Sequence, residues 1–153
     1  RDTDRSRGLG DVYKRQLKQS MAGNHITEVM GIVNGTTNYI LTKMTEKGMD
    51  YADALAEATE LGYAEADPTA DVEGYDAGRK IAIMASIAFN SRVTFSQVYT
   101  EGITKISADD IRYAKEFGYV IKLLGVARNV VAILRYHSVR HTYILQLSRN
   151  LFQ

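Results

Sequence analysis

The chain has 153 residues, of which 45% are hydrophobic and 24% charged, with a formal net charge of +1 and no cysteine. This length is typical of one domain with a core of its own. A chain without cysteine has no disulfide, no thiol nucleophile and no thiolate metal site, which agrees with a cytoplasmic location. The apolar runs are too short to cross a bilayer, and the first residues lack the apolar centre of a signal peptide, so we expect no membrane association.

Basic residues are concentrated at the two ends of the chain. Residues 1–16 carry five Lys or Arg and three Asp or Glu, residues 130–153 carry three Lys or Arg and no acid, and the section between them is acidic. A nucleic-acid interface needs basic residues gathered on one folded surface, so we expect no nucleic-acid partner. An RNA-binding strip in residues 130–153 is a weaker alternative, because no recognised module accompanies its Arg, His and Tyr residues.

The two ends also differ from the middle in pattern. Residues 1–16 have almost no apolar residues and no periodicity, which predicts disorder and resembles translated adapter sequence. Residues 130–153 break with the preceding pattern, as a frame change, a truncation or a divergent strand pair would, and we expect them to pack poorly. The chain is therefore divided into a tail at 1–16, a folded domain at 17–129 and a divergent segment at 130–153.

The first predicted elements are a strand and a helix. Residues 25–34 are rich in β-branched side chains and predict a strand, and residues 35–47 predict a helix. The turn between them places unpaired backbone N–H groups at a helix N-terminus, where a carboxylate or a phosphate can bind. Plain N-capping by Thr36 or Thr37 is at least as good an interpretation.

A second helix is predicted over residues 50–61. Asp50 is its expected N-cap and Gly62 its stop, so Gly62 has a structural role first. Its expected inner stripe consists of Ala52, Leu55, Ala56 and Thr59.

An acidic loop follows the second helix. Pro68, the only proline of the chain, disfavours a helical conformation at Asp67, so Glu65 and Asp67 should lie on a shaped loop. Asp71, or failing it Thr69, is the expected N-cap of the next helix.

The next helix continues through the apolar run at residues 81–89. A run of this length without Gly or Pro predicts that the helix packs into the core. Asp76 and Lys80 are four residues apart and share one helix face. That face continues to Ile83 and Ile87, which are expected inside, so Lys80 should be part-buried and need a partner or a function. An ordinary intrahelical ion pair, worth roughly a few tenths of a kcal/mol, is the simpler interpretation.

The remaining elements complete an α+β pattern. Residues 93–107 alternate loosely as strand and turn, Ser107 and Asp110 form a capping box for a helix over residues 108–117, and residues 119–128 predict a buried strand. Helices and strands alternate without the strict rhythm of parallel βαβ units. We expect an α+β fold in which helices cover one face of a mixed sheet. No G-x-G-x-x-G follows a strand, so this chain alone does not bind a dinucleotide in the Rossmann manner.

Two motifs resemble one enzyme family. Residues 62–80, GYAEADPTADVEGYDAGRK, are similar to the substrate-site signature of homoserine dehydrogenase, and residues 31–41, GIVNGTTNYIL, are similar to its other strong motif. The resemblance covers about residues 17–129, much of the catalytic and dimerisation domain, but not the nucleotide-binding half. It implies an oxidoreductase and homodimer that interconverts L-homoserine and L-aspartate 4-semialdehyde with NADP or NAD, in threonine, methionine and isoleucine biosynthesis.

The resemblance also implies roles for four charged residues. Lys80 matches the catalytic lysine and would act as general acid or base. Glu65 and Asp76 match the acids that hold the amino group and the hydroxyl region of the substrate. Asp71 matches another acid of the site, with helix capping as its rival role.

Three uncharged residues complete the implied site. Gly35 and Thr36 lie in the turn that borders substrate and nicotinamide in the family, and Gly62 lies near the cofactor. The family's second lysine and its metal-binding loop lie upstream of residue 17, so no metal site is expected here and the chain by itself is expected to be inactive. The alternative is a non-catalytic dimerisation or structural module of the same fold.

Overall fold

A computed structural model of the chain describes residues 15–129 and 140–149. A π-helix at Gln16–Ser20 comes first and a 3₁₀ helix lies at Phe95–Gln97. The other elements, in chain order, are β1 (Glu28–Gly31), α1 (Gly35–Lys47), α2 (Tyr51–Glu60), α3 (Thr69–Val72), α4 (Tyr75–Ala88), α5 (Ala108–Glu116), β2 (Tyr119–Asn129) and β3 (Arg140–Arg149). The disorder expected of the N-terminal tail falls almost entirely on residues 1–14, which lie outside the described residues.

The three strands form one sheet in the order β1-β2-β3. Both pairings are antiparallel, with Gly31 opposite Gly125 in the first and Tyr119 opposite Arg149 in the second. The α+β class is therefore confirmed, although the described pairings are antiparallel where the sequence predicted a mixed sheet. The expectation that the C-terminal segment packs poorly is wrong for residues 140–149, because they pair with β2 along its length.

The core lies between β2 and the helices α1, α4 and α5, which pack against it. Its largest fully buried apolar side chains are Ile40, Leu41, Met44, Ile81, Ile103, Leu123 and Val126. Burying a side chain of this size contributes about 1.5–3 kcal/mol relative to leaving it exposed. Gly125 lets α4 approach β2 closely, because a Cβ there would lie 3.3 Å from the Cβ of Ile81.

Helix α4 begins later than the sequence predicted. Its N-cap is Gly74, which has a φ of 77° and separates α4 from the short α3. Asp71 and Thr69 therefore do not cap α4, since both lie within α3. The backbone N–H of Thr69 is instead bound by Asp67 Oδ1 at 3.1 Å.

The inward face of α4 also differs from the prediction. Ile83 is 47% exposed and Ile87 is half-buried. The buried positions are Ala77, Gly78, Ile81, Ala82 and Ala85. The helix face that carries Asp76 and Lys80 thus lies at the edge of the core. The apolar run in the sequence did not indicate which face of the helix is buried.

Helix α2 shows a similar shift. Asp50 caps it as predicted, accepting a hydrogen bond from the Asp53 N–H at 2.8 Å. Its buried residues are Ala54 and Ala58, while Leu55 is half-buried and the other three residues of the predicted stripe (Ala52, Ala56 and Thr59) are exposed. The small alanine side chains face α1, which the helix contacts.

The rest of the middle section agrees with the prediction only in part. The Ser107 and Asp110 capping box is present, with the Ser107 N–H 2.8 Å from Asp110 Oδ2 and the Asp110 N–H 3.1 Å from Ser107 Oγ. The strand predicted over residues 25–34 is limited to Glu28–Gly31, and residues 93–107 contain a 3₁₀ helix but no strand. Among the described residues, no helix combines the length and the apolar character needed to cross a membrane.

Candidate functional site

Two charged residues of α4, Asp76 and Lys80, meet the segment between β1 and α1 at one site. The Nζ of Lys80 lies 2.7 Å from Asp76 Oδ2 and donates a hydrogen bond to the backbone carbonyl of Val33 at 3.1 Å. The side chains of Lys80 and Asp76 are 38% and 30% exposed. The lysine is thus held by two acceptors but remains within reach of a ligand.

Asn34 joins the two aspartates of the site. Its side-chain nitrogen Nδ2 donates to Asp71 Oδ1 at 2.7 Å and to Asp76 Oδ2 at 2.9 Å. Its Oδ1 accepts from the backbone N–H and the hydroxyl of Thr37, at 3.0 and 2.9 Å. An asparagine side chain has two donor hydrogens and two acceptor positions, so the hydrogen-bonding capacity of Asn34 is used completely.

The N-cap of α1 is Asn34, not Thr36 or Thr37. Asparagine is among the most favourable N-cap residues, and it stands directly before the predicted helix, so this signal was present in the sequence. Thr37 is buried, and the Thr36 hydroxyl donates to the carbonyl of Tyr63 at 2.8 Å. The start of α1 is therefore tied to the loop that follows Gly62.

A second buried asparagine, one turn along α1, fixes that helix to the sheet. Asn38 accepts from the backbone N–H of Leu123 at 3.0 Å and donates to the carbonyls of Leu123 and Asn34, both at 3.0 Å. Sequence reasoning missed this residue, because its partner in β2 is 85 positions away.

Three other predicted site residues, Glu65, Gly62 and Gly35, take no part in these side-chain hydrogen bonds. Glu65 and Gly62 are exposed on the loop after α2, and Gly62 has a φ of 74°. Glu65 makes no hydrogen bond or ion pair with the residues that the structure describes. Gly35 is exposed in the first turn of α1, and a Cβ there would meet no atom within 4 Å. The structure thus brings Lys80 and Asp76 into direct contact but gives Glu65 no partner among the residues it describes.

The acidic loop carries a carboxylate that is held ionised. The side-chain hydroxyl of Thr69 and then its backbone N–H stabilise the carboxylate of Asp67 and lower its pKa. In residues 15–129 and 140–149, no group of three His, Cys, Asp or Glu side chains is arranged to hold a metal ion.

An apolar cavity of about 330 Å³ opens beside Lys80. It is lined by Val29, Met30, Gly31, Ile32, Val33, Lys80 and Met84. Lys80 is the one charged residue of this lining. Pockets that are mostly apolar with a few placed polar groups are typical of small-molecule sites, so the arrangement can accommodate an apolar group next to a proton donor.

Comparisons with known proteins agree on one family. The family model described as homoserine dehydrogenase matches residues 13–152. The homoserine dehydrogenase of Corynebacterium glutamicum is 64% identical over 110 residues, which are 72% of this chain and 25% of that protein. That of Mycobacterium tuberculosis strain H37Rv is 60% identical over 116 residues, which are 76% of this chain and 26% of that protein. The chain spans about a quarter of the length of these curated relatives.

Solved structures give the same result. A homoserine dehydrogenase from Thiobacillus denitrificans has a TM-score of 0.83 and 41% identity, with 92% of this chain and 31% of that chain covered. The enzyme from S. aureus at pH 7.5 has a TM-score of 0.77 and 39% identity, with 85% and 31% covered. A hyperthermophilic archaeal homoserine dehydrogenase in complex with NADPH shares the fold, with a TM-score of 0.62, 24% identity, and 88% and 35% covered. The resemblance of the two motifs is confirmed, and the chain belongs to the homoserine dehydrogenase family.

Proposed function

We propose that the chain is part of the catalytic domain of an enzyme that interconverts L-homoserine and L-aspartate 4-semialdehyde with NADP or NAD. This reaction belongs to the biosynthesis of threonine, methionine and isoleucine. The observation that carries the proposal is the position of Lys80, which lines the apolar cavity and whose Nζ is 2.7 Å from Asp76 Oδ2. An ammonium held by a carboxylate beside an apolar pocket suits proton transfer to a small polar substrate.

Lys80 is the proposed proton-transfer group. Its ammonium has three N–H donors, and among the described residues Asp76 and the Val33 carbonyl take two of them. The third is left for the oxygen of the substrate. In the reductive direction Lys80 gives a proton to the aldehyde oxygen, and in the oxidative direction the neutral amine takes it back from the hydroxyl. When bound, the nicotinamide supplies or accepts the hydride.

The acids and the start of α1 are proposed to bind the substrate's other groups. Glu65 is exposed and has no described partner, so its carboxylate is available for the ammonium of homoserine. The N–H of Thr37 is occupied by Asn34, whereas Gly35 and Thr36 belong to the first turn of α1, whose N–H groups face outward for a carboxylate. Asp76, with Asp71 beside it, is proposed to hold the part of the substrate that carries the hydroxyl group.

The proposed cofactor would be held mainly by residues outside this chain. The apolar lining of the cavity, with Val29, Ile32 and Met84, fits the nicotinamide end of the dinucleotide, and Gly62 is proposed to lie near it. The amino-acid sequence contains no G-x-G-x-x-G pattern, which is typical of phosphate-binding turns. We therefore propose that the isolated chain is inactive. We also propose that the whole enzyme is a homodimer and is located in the cytoplasm.

The proposal is tested with a full-length enzyme that contains this segment together with a nucleotide-binding domain. It should oxidise L-homoserine while reducing NADP or NAD, measured by the absorbance of the reduced nicotinamide. Serine and threonine, which carry the same charged groups with a different hydroxyl position, are the control substrates and should react much more slowly. Oxidation of the three alcohols at equal rates, or of none of them, would refute the proposed function.

A further inference from the structure

We propose that Asn34 is a positioning residue of this site, which holds Asp71 and Asp76 side by side and thereby fixes Asp76 against Lys80. The inference rests on the proposed function, because it adds a residue to the same site. The resemblance of the two motifs implies no role for Asn34. The two aspartates that Asn34 contacts come from different helices, α3 and α4.

The hydrogen bonds of Asn34 leave it one orientation. Its Oδ1 faces two donors of Thr37, the backbone N–H and the hydroxyl, so the amide nitrogen must face the carboxylates. Asn34 is 5% exposed, so water does not readily replace these partners. Losing the amide donors would leave both carboxylates short of a hydrogen bond in a part-buried place, which is unfavourable.

One oxygen atom links Asn34 to the proposed proton-transfer group. Asp76 Oδ2 accepts from Asn34 Nδ2 at 2.9 Å and lies 2.7 Å from Lys80 Nζ. The amide thus sets the rotation of the Asp76 carboxylate, and that carboxylate sets the position of the ammonium. The amide also places a neutral donor between two like charges, because its other hydrogen goes to Asp71.

Asn34 also has a purely structural role, as the N-cap of α1, and the two roles use different atoms. The cap uses Oδ1 only, whereas the contacts with the acids use Nδ2. Aspartate caps a helix about as well as asparagine, but it has no amide hydrogens. Asn34→Asp therefore keeps the cap, removes both donors and adds a third carboxylate next to Asp71 and Asp76.

Asn38 provides a matched control on the same helix. It is buried, like Asn34, and its amide binds the backbones of β2 and of Asn34 but neither Asp71 nor Asp76. Asn38→Asp makes the same chemical change one turn along α1. It should lower the thermal midpoint without changing the site.

The test is the pH profile of kcat/KM for L-homoserine in the full-length enzyme. Asn34→Asp should lower kcat/KM by roughly 10- to 100-fold, as expected when a catalytic group is misplaced. It should also move the rising limb of the profile to higher pH, because a third carboxylate makes the loss of a proton from the site less favourable. Asn38→Asp should leave both quantities close to wild type. A wild-type profile in Asn34→Asp would overturn the proposal, as would the same shift in both variants.

Two further measurements keep the outcome decisive. If Asn34→Asp does not fold, Asn34→Ser retains a cap oxygen without the amide, and wild-type kcat/KM in that variant would overturn the proposal. If the wild-type enzyme does not oxidise homoserine, the proposed function fails. The contact of Asn34 with the two aspartates is then tested separately, through the NMR signals of the Asn34 side-chain amide. These signals should shift in Asp71→Asn if the contact exists, and unchanged signals would overturn the positioning role.

Discussion

The Nζ of Lys43 lies 2.8 Å from Glu57 Oε1, and this ion pair joins helix α1 to helix α2. The hydroxyl of Tyr39 donates to the same oxygen at 2.8 Å, and the ammonium lies 4.9 Å from the centre of the Tyr39 ring. The hydrogen bonds from Lys43 and Tyr39 lower the pKa of Glu57 to about 2. The hydrogen bond to Glu57 correspondingly raises the pKa of Lys43 well above its usual range.

This contact predicts a loss of stability in acid. Because the pKa of Glu57 is lower in the folded chain than in the unfolded chain, its contribution is present above the unfolded value and is lost as the pH falls towards 2. Glu57→Gln removes this contribution, so its thermal midpoint should fall less than that of wild type between about pH 5 and pH 2. Thermal melts of both proteins across this range provide the measurement, and parallel curves would contradict the prediction.

The close approach of α4 to β2 predicts that a side chain at Gly125 lowers the stability. A Cβ at this position would lie 3.2 Å from Val33 Cγ2 and 3.3 Å from Ile81 Cβ, so in Gly125→Ala these two side chains must move by a few tenths of an ångström in a packed core. We expect a destabilisation of about 1–3 kcal/mol, the usual effect of overpacking a core, measured by chemical denaturation.

Gly31 is the control for this substitution. It lies directly opposite Gly125 in the sheet, and a Cβ there would meet no atom within 4 Å. Gly31→Ala should therefore change the stability little. An equal loss in the two variants would mean that the packing between α4 and β2 is not the cause.

The local features of the site were predictable from the sequence, and its long-range contacts were not. The pairing of Asp76 with Lys80 and the capping of α2 by Asp50 depend on residues three or four positions apart, so their spacing was sufficient. The contacts of Asn34 with Asp71 and Asp76 span 37 and 42 positions. Such contacts depend on how α3 and α4 pack against α1, which no local pattern encodes.

The misjudged helix faces have a related cause. In a largely apolar helix, a residue such as Ile83 can lie on the buried face or on the exposed face. The elements that pack against the helix determine which face is buried. Gly125 is an example, because its missing side chain lets Ile81 approach β2. For the C-terminal segment a divergent strand pair was one alternative, and poor packing was preferred because residues 130–153 break with the preceding pattern; the pairing of residues 140–149 with β2 agrees with the alternative.

Glu65 should affect substrate binding more than turnover. It is exposed and has no partner among the described residues, so Glu65→Gln should leave the thermal midpoint unchanged. In the full-length enzyme the variant should mainly raise KM for homoserine, because it removes a charge proposed to hold the substrate's ammonium without altering the proton path. Steady-state kinetics at saturating cofactor measure this. A fall in kcat at unchanged KM would assign Glu65 a different role.

The central claim is that Lys80 transfers the proton, and kcat of the Lys80→Ala variant in the full-length enzyme tests it most directly. The control is Lys115→Ala, on α5, where the side chain is exposed and has no described partner. We expect Lys80→Ala to lower kcat by roughly 10²- to 10⁴-fold, the range typical of positioned acid–base groups, with a smaller change in KM. Lys115→Ala should match wild type. Wild-type turnover in Lys80→Ala, with only a small loss of stability, would contradict the claim and leave Lys80 as an ordinary helix ion pair.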